Sequence, residues 1–129
     1  MRDEMLELTR QMVRIPSVNT TPGEKEIGLF IEKYMREIPY FKEHPDQVIV
    51  QELKNDSLGR RNVFALLRGE KDDNANTVLF HGHMDTVGVE DYGVLAEYAF
   101  DPDELARKLA AVELLQQYPQ EHESGHTCC

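Results

Sequence analysis

An apolar run ends in two histidines and an aspartate at alternating positions in the segment VLFHGHMDTVG, Val78 to Gly88. His83 and Asp85 are two residues apart, so on an extended backbone their side chains project to the same side. A histidine that binds a metal usually donates its other ring N–H to a carboxylate, which fixes the tautomer. Gly82 allows backbone and metal to approach closely. The spacing therefore permits a zinc ligand at His83, with Asp85 as the residue that orients it.

The same pattern has a simpler interpretation, because H-x-D is short and arises by chance. A core strand that ends in a solvated polar loop would also show it. His81 is predicted to be structural or to line the loop, since most histidines are not ligands. Four acidic residues follow the motif and are predicted to be solvated surface groups or helix caps: Asp91, Asp101, Asp103 and Glu104.

A second metal pattern lies near the end of the sequence, where residues 122–126 read HESGH and fit H-E-x-x-H. In a zinc peptidase this motif lies on a stable helix, but few residues follow the last proline and Gly125 interrupts the would-be helix. Cys128 and Cys129 could complete a four-ligand structural zinc site. We expect residues 119–129 to form a polar, disordered tail, with adventitious or structural metal binding and a frame-shifted scar as alternatives.

Bulk composition limits the classes of partner and compartment. The chain has 129 residues, of which 40% are hydrophobic, enough for one domain with a core. Its formal net charge of −10 argues against nucleic acid or an anionic membrane as partner. The sequence has no apolar run long enough to span a bilayer, and its acidic start does not resemble a secretory signal. Cysteine occurs only at the last two positions, which predicts a cytoplasmic protein.

Two helices are predicted in the first third of the chain. Apolar residues at near-helical spacing predict a first helix over residues 3–14. Thr21-Pro22-Gly23-Glu24 is typical of a capping box, in which Thr21 accepts from the backbone at Glu24 and Glu24 reaches back. A helix with one apolar stripe should follow to about Ile38, and Pro39 ends it.

Three strands and a last helix are predicted after Pro39. Residues 48–53 alternate apolar and polar side chains, and residues 62–67 form a second strand, so the pair is expected to form a hairpin. Residues 77–80 should form a short third strand covered on both faces, as in a parallel sheet. A glycine-punctuated loop follows, and then Asp101-Pro102-Asp103-Glu104 should start a helix that ends before Pro119. This order predicts a layered α/β domain, with the histidine motif at the carboxyl end of a strand.

The motif HGHMDTV after an apolar strand resembles the first metal motif of the M20 family of zinc metallopeptidases and amidohydrolases. The segment LTRQMVRIPSVNTTPGEKEIGLFIEKYM is similar to the opening of that family, and the resemblance covers about residues 6–87. The wording around HGHMDTVGVEDYG and EYAFDPDEL looks most like the branch called arginine-utilisation protein. The resemblance implies an α/β/α sandwich with a mixed sheet, here incomplete, in which residues 1–118 are part of a catalytic domain.

The resemblance also implies a function. His83 matches the zinc-ligand histidine of the family, and Asp85 matches the catalytic-site aspartate that orients it, whereas His81 matches no ligand. The family hydrolyses amide bonds with a two-zinc site and a glutamate base. The implied substrate is a small peptide or an N-acyl amino acid. An inserted lid domain that often dimerises suggests a homodimer for the full-length form.

The later motifs of the family are missing from this sequence: the bridging aspartate, the Glu-Glu pair, a later acidic ligand and a final histidine. Three protein ligands are the norm for a catalytic zinc, so His83 alone is not a catalytic site. We therefore expect the leading part of a larger hydrolase, inactive by itself, which arose as a truncated gene, a premature stop or an expressed fragment. The alternatives are a non-catalytic remnant that acts as a binding module, and a small metal-binding protein that uses the His/Cys tail.

Overall fold

The computed structural model describes residues 2–70 and 76–111. The chain separates into two compact units, the first ending at Gly88 and the second beginning at Val89. The elements in chain order are α1 (Arg2–Val13), α2 (Gly23–Glu37), α3 (Pro39–Glu43), a 3₁₀ helix (Pro45–Gln47), β1 (Val48–Glu52), β2 (Arg61–Ala65), a second 3₁₀ helix (Glu90–Tyr98) and α4 (Pro102–Ala111). In the described ranges, no helix combines the length and apolar character that crossing a membrane requires.

The core of the first unit forms where α2 meets the hairpin of β1 and β2. Ile27 on α2 is the most deeply buried large side chain, at 2% exposed, and Phe41 and Val48 are buried as well. Gly28 lets β2 approach closely, because a Cβ there would lie 2.8 Å from the Cγ atom of Arg61. The predicted helix is confirmed, but its apolar stripe is buried only in part, since Ile27 is buried whereas Tyr34 is 38% exposed. Burial of Ile27 and its neighbours supplies hydrophobic stabilisation that propensity alone would not.

The start of α2 differs from the predicted capping box. The Glu24 carboxylate reaches back, but it accepts from the N–H of Thr20 (2.7 Å) rather than that of Thr21. The Thr21 hydroxyl donates to the Val18 carbonyl (2.6 Å), and the carbonyl of Thr21 accepts the Glu24 N–H (3.2 Å). The reason is that Thr20 has a φ of 63°, so the chain enters the helix through a left-handed residue. The side-chain cap predicted at Thr21 is therefore wrong.

The predicted hairpin is confirmed. β1 and β2 pair antiparallel with Val48 opposite Ala65 and Glu52 opposite Arg61. The turn between them is closed by Asp56, whose carboxylate accepts from the backbone N–H of Arg60 (2.6 Å) and also pairs with its guanidinium (2.9 Å). These contacts satisfy polar groups in the turn and fix the strand register.

The third predicted strand is wrong. Residues 76–80 have no strand structure, and Val78, Leu79 and Phe80 are 76%, 82% and 92% exposed. A strand needs a neighbour that pairs with its backbone groups, and in the described residues the sheet consists of β1 and β2 alone. Helices with this small sheet agree with the predicted fold class, an incomplete α/β domain.

The remaining predicted helices are present. α1 matches the first prediction, although none of its residues is buried. In the second unit, the Asp101 carboxylate accepts from the Glu104 N–H (3.1 Å), so the predicted cap of α4 is confirmed. The segment before it, predicted as a loop, is a 3₁₀ helix broken at Gly93, whose φ is 53°. The end of the last helix, the HESGH pattern and both cysteines lie outside the described residues.

Candidate functional site

The structure brings the two predicted site residues together. The Nδ1 atom of His83 lies 2.9 Å from the backbone carbonyl oxygen of Asp85 and 3.3 Å from its carboxylate Oδ1. Because both neighbours are acceptors, Nδ1 carries the proton of the neutral ring, and Nε2 keeps the lone pair that a metal would take. The imidazole is 83% exposed, so it is accessible from solvent.

The Asp85 carboxylate has a second partner, which sequence analysis missed. The side-chain amide of Asn19 donates to Oδ2 of Asp85 (2.9 Å) across a separation of 66 residues. This hydrogen bond is the main reason that the pKa of Asp85 lies below its ordinary value, and the nearby His83 ring lowers the pKa further. Asn19 lies in the RIPSVN segment, so its position in that motif was the available signal.

Backbone and side-chain hydrogen bonds join residues 17–19 to residues 84–86, and we call this paired region the clamp. Asn19 N–H donates to the Thr86 carbonyl, and Thr86 N–H donates to the Ser17 carbonyl, both at 2.9 Å. The hydroxyl of Ser17, a buried residue, donates to the Met84 carbonyl (3.1 Å). The result is an isolated parallel bridge between Val18 and Thr86. The clamp thus holds the histidine motif against the loop between α1 and α2.

The loop that carries Asn19 is itself fixed to α2. A Cβ atom at Gly23 would lie 1.9 Å from the Pro16 carbonyl oxygen, so only glycine allows this approach. On the other side of Asn19, the Glu24 carboxylate holds the Thr20 N–H. Both ends of the loop are therefore anchored at the first turn of α2, and the Asn19 side chain is presented from a defined backbone.

A cleft of about 260 Å³ lies beside the histidine motif. Its walls come from the start of α2, the hairpin and the motif itself: Glu24, Ile27, Leu53, Arg60, Arg61, Asn62, His81, Gly82, His83, Met84 and Asp85. Both arginines are already paired, Arg60 with Asp56 (2.9 Å) and Arg61 with Glu32 (2.9 Å). The cleft has both polar and apolar walls and is mixed in charge, and its size suits a few atoms of a ligand rather than a whole drug-sized molecule.

The donor set fits one zinc ligand, not a complete site. A neutral imidazole oriented by a carboxylate is a common zinc ligand, and His83 with Asp85 has that form. Among residues 2–70 and 76–111, however, no group of three or more His, Cys, Asp or Glu is placed to hold a metal ion. Asp101 caps α4, as predicted, and Glu104 pairs with Arg107.

Comparison with known proteins gives two curated relatives, both from Bacillus subtilis strain 168. Protein RocB is 40% identical over 118 residues, which cover 92% of this chain and 21% of RocB. The uncharacterized protein YqjN is 32% identical over 126 residues, which cover 96% of this chain and 22% of YqjN. The chain therefore spans about a fifth of the length of these relatives. No protein-family profile matches the chain, and no solved structure does.

Proposed function

We propose that this chain is part of a zinc-dependent hydrolase of amide or peptide bonds, of the M20 type, in which His83 is a zinc ligand and Asp85 orients it. The observation that carries the proposal is the contact between Nδ1 of His83 and Asp85, combined with an imidazole that is largely exposed. That arrangement leaves Nε2 available in the tautomer that a metal requires. Similarity to RocB over 92% of this chain agrees with the sequence resemblance to the arginine-utilisation branch.

In this proposal the remaining zinc ligands come from other parts of a longer protein, since the curated relatives are about five times as long as the matched segment. Bound zinc would polarise the carbonyl of an amide substrate and activate a water molecule. The residues described here would hold one ligand and orient it, so we expect this chain to be inactive by itself. We propose a small peptide or an N-acyl amino acid as substrate, and a homodimer for the full-length form.

Zinc binding at His83 can be tested with site-resolved NMR of the histidine rings. Zinc should shift the ring signals of His83, and Asp85→Ala should weaken this response roughly 10-fold or more, since partners of metal ligands contribute about 10–100-fold to affinity. The His44 ring, which packs against Tyr40, is the internal control and should respond less. Cys128→Ser, Cys129→Ser, His122→Ala and His126→Ala in all samples remove competition from the tail. If the NMR signals of the His83 ring do not shift on addition of zinc, the ligand role is refuted.

The longer relative offers a second test. We expect RocB to carry a histidine and an aspartate where His83 and Asp85 align. Replacing that histidine by alanine should lower the zinc content of purified RocB while its circular dichroism spectrum is unchanged. Substitution at the position aligned with His81 is the matched control and should leave the zinc content intact. Unchanged zinc content in the first variant would contradict the proposal.

A second candidate function is a non-catalytic binding module, and the exposed apolar residues at 78–80 favour it. Leu79→Ser separates the two candidates. If the chain acts by association, this change should reduce its self-association or partner binding in analytical ultracentrifugation. If the zinc proposal holds instead, the zinc response of His83 should be the same with and without the change.

A further inference from the structure

We infer that Asn19 is a positioning residue for His83, which acts through the carboxylate of Asp85. The inference rests on the proposed function, in which His83 is a zinc ligand. It extends the site to a residue 64 positions before the histidine, in the loop between α1 and α2. Three side chains then form one relay, from the Asn19 amide to the Asp85 carboxylate to the His83 imidazole.

The relay uses both oxygens of the Asp85 carboxylate. Oδ2 accepts from Asn19 Nδ2 at 2.9 Å, while Oδ1 faces His83 Nδ1 at 3.3 Å. Oδ1 is thus a second acceptor for Nδ1, beside the Asp85 backbone carbonyl at 2.9 Å. The terminal torsion of an aspartate is broad, so one contact alone would leave the carboxylate free to rotate. The Asn19 bond removes that freedom and directs Oδ1 towards the ring. The protonated Nδ1 is thereby favoured, and Nε2 is kept as the acceptor.

The backbone at Asn19 is fixed by contacts other than the bond from its side chain to Asp85. Its backbone N–H is bonded to the Thr86 carbonyl in the clamp, and the loop on either side is anchored at α2 through Gly23 and Glu24. The backbone that carries the amide is therefore already ordered, so the Asn19–Asp85 bond costs little further backbone entropy. An asparagine suits this position because its amide donates a hydrogen bond without adding a charge beside the carboxylate.

Single substitutions test the relay without any metal. The tautomer of the His83 ring is read from its ¹⁵N NMR signals at a pH above the ordinary imidazole pKa. Asn19→Ala should increase the fraction of the Nε2–H tautomer. Asn19→Asp should increase it further, because repulsion between the two carboxylates would turn that of Asp85 away from the His83 ring. Gln11→Ala is the matched control, since Gln11 makes the same kind of amide–carboxylate bond, to Glu7 at 2.9 Å on α1. An unchanged tautomer in both Asn19 variants would overturn the inference.

A swapped pair distinguishes positioning from simple structural support. In the double variant Asn19→Asp with Asp85→Asn, an amide and a carboxylate again face each other, so the clamp should persist, as read from the Thr86 amide signal. The carboxylate no longer lies beside His83, so the ring should lose the part of its tautomer preference that the carboxylate adds to that of the backbone carbonyl of residue 85. If the swap restores both the clamp and the tautomer, Asn19 is merely structural.

Zinc titration, followed on the His83 ring, then separates this inference from the proposed function. Asn19→Ala should weaken zinc binding at His83 by about 10-fold, the lower end of the range for partners of a metal ligand. A wild-type His83 ring that does not respond to zinc refutes the proposed function, while the tautomer measurement still decides the role of Asn19. A normal zinc response with unchanged affinity in Asn19→Ala refutes the Asn19 inference alone.

Discussion

Two neighbouring segments of the first unit differ in whether they are exposed or held by hydrogen bonds. Residues 78–80 are apolar, were predicted to be a covered strand, and are largely exposed. Residues 84–86 are mostly polar, were predicted to lie in a loop, and are joined to residues 17–19 by three backbone and side-chain hydrogen bonds. A further bond from Asn19 holds the Asp85 side chain.

The comparison teaches that hydrophobic character does not by itself order a segment in this protein. Residues 78–80 have apolar side chains, but the described sheet offers them no pairing partner. Residues 84–86 have a partner that comes from 66 or more positions earlier in the chain, through the loop anchored at Gly23. In these two segments, the one whose backbone groups find hydrogen-bonding partners is held to the rest of the unit, and the apolar one without such partners is exposed.

The largest expected effect contrasts the packed core with the exposed apolar run. Ile27→Ala should lower the free energy of unfolding by about 2–5 kcal/mol, because it leaves a cavity between α2 and the hairpin. Leu79→Ala, the control, removes a comparable side chain that is mostly in water and should change the stability by less than about 0.5 kcal/mol. Urea unfolding followed by circular dichroism measures both. A large loss for Leu79→Ala would mean that residues 78–80 are buried in solution.

The next effect concerns the anchor of the clamp. Gly23→Ala should destabilise the protein by about 1–3 kcal/mol, because the added methyl group would overlap the Pro16 carbonyl oxygen. Gly82→Ala is the matched control, since a Cβ there meets nothing within 4 Å. It should be neutral or slightly stabilising, because alanine lowers the conformational entropy of the unfolded chain. Equal thermal unfolding of the two variants would show that the close approach at Gly23 is not needed.

A smaller effect tests one bond of the clamp. Ser17→Ala removes the hydrogen bond from the Ser17 hydroxyl to the Met84 carbonyl, and leaves that carbonyl with one partner fewer. The expected cost is about 1 kcal/mol, and faster hydrogen exchange should be seen at the Thr86 amide. Thr9→Ala is the control, because its hydroxyl also donates to a carbonyl, that of Met5, but on α1. If Ser17→Ala leaves hydrogen exchange at the Thr86 amide unchanged, the Ser17 hydroxyl does not stabilise the clamp.

The smallest effect is the pH dependence of the clamp. The pKa of Asp85 lies below its ordinary value of about 3.9, chiefly because Asn19 donates to the carboxylate. A carboxyl group whose pKa is lowered by folding contributes stability above its unfolded pKa, and this contribution is lost as the pH falls through the folded pKa. The NMR signals of the Asn19 side-chain amide should therefore move towards solvent-exposed values below about pH 4. In Asp85→Asn they should not move, and the same acid transition in that variant would assign it to another group.

Much of the local structure could be predicted from the sequence. The helices and the hairpin follow from the periodicity of apolar residues and from proline and aspartate at element ends, which act over a few residues. The cap of α4 at Asp101 was predicted correctly for that reason. The capping box at Thr21 was not, because Thr20 takes a left-handed backbone conformation and its N–H, rather than that of Thr21, bonds the Glu24 carboxylate.

In the site, too, local contacts could be predicted from the sequence and long-range contacts could not. His83 and Asp85 are two residues apart, so their contact follows from local geometry and could be predicted. The resemblance of the segment that contains RIPSVN to the same family as the motif indicated that the two belong together, but not which residues are in contact. The roles of His83 and Asp85 towards zinc stay predictions.

The sequence by itself determined α1, α2, α4, the hairpin and the pair His83–Asp85, because all of these depend on residues close together in the chain. The tertiary structure alone decided that Asn19 holds Asp85 and that Ser17 holds Met84, because those contacts span 66 and 67 residues. It also decided that residues 78–80 are exposed. Whether a segment finds a hydrogen-bonding partner depends on the path of the whole chain, which no local pattern of residue types encodes.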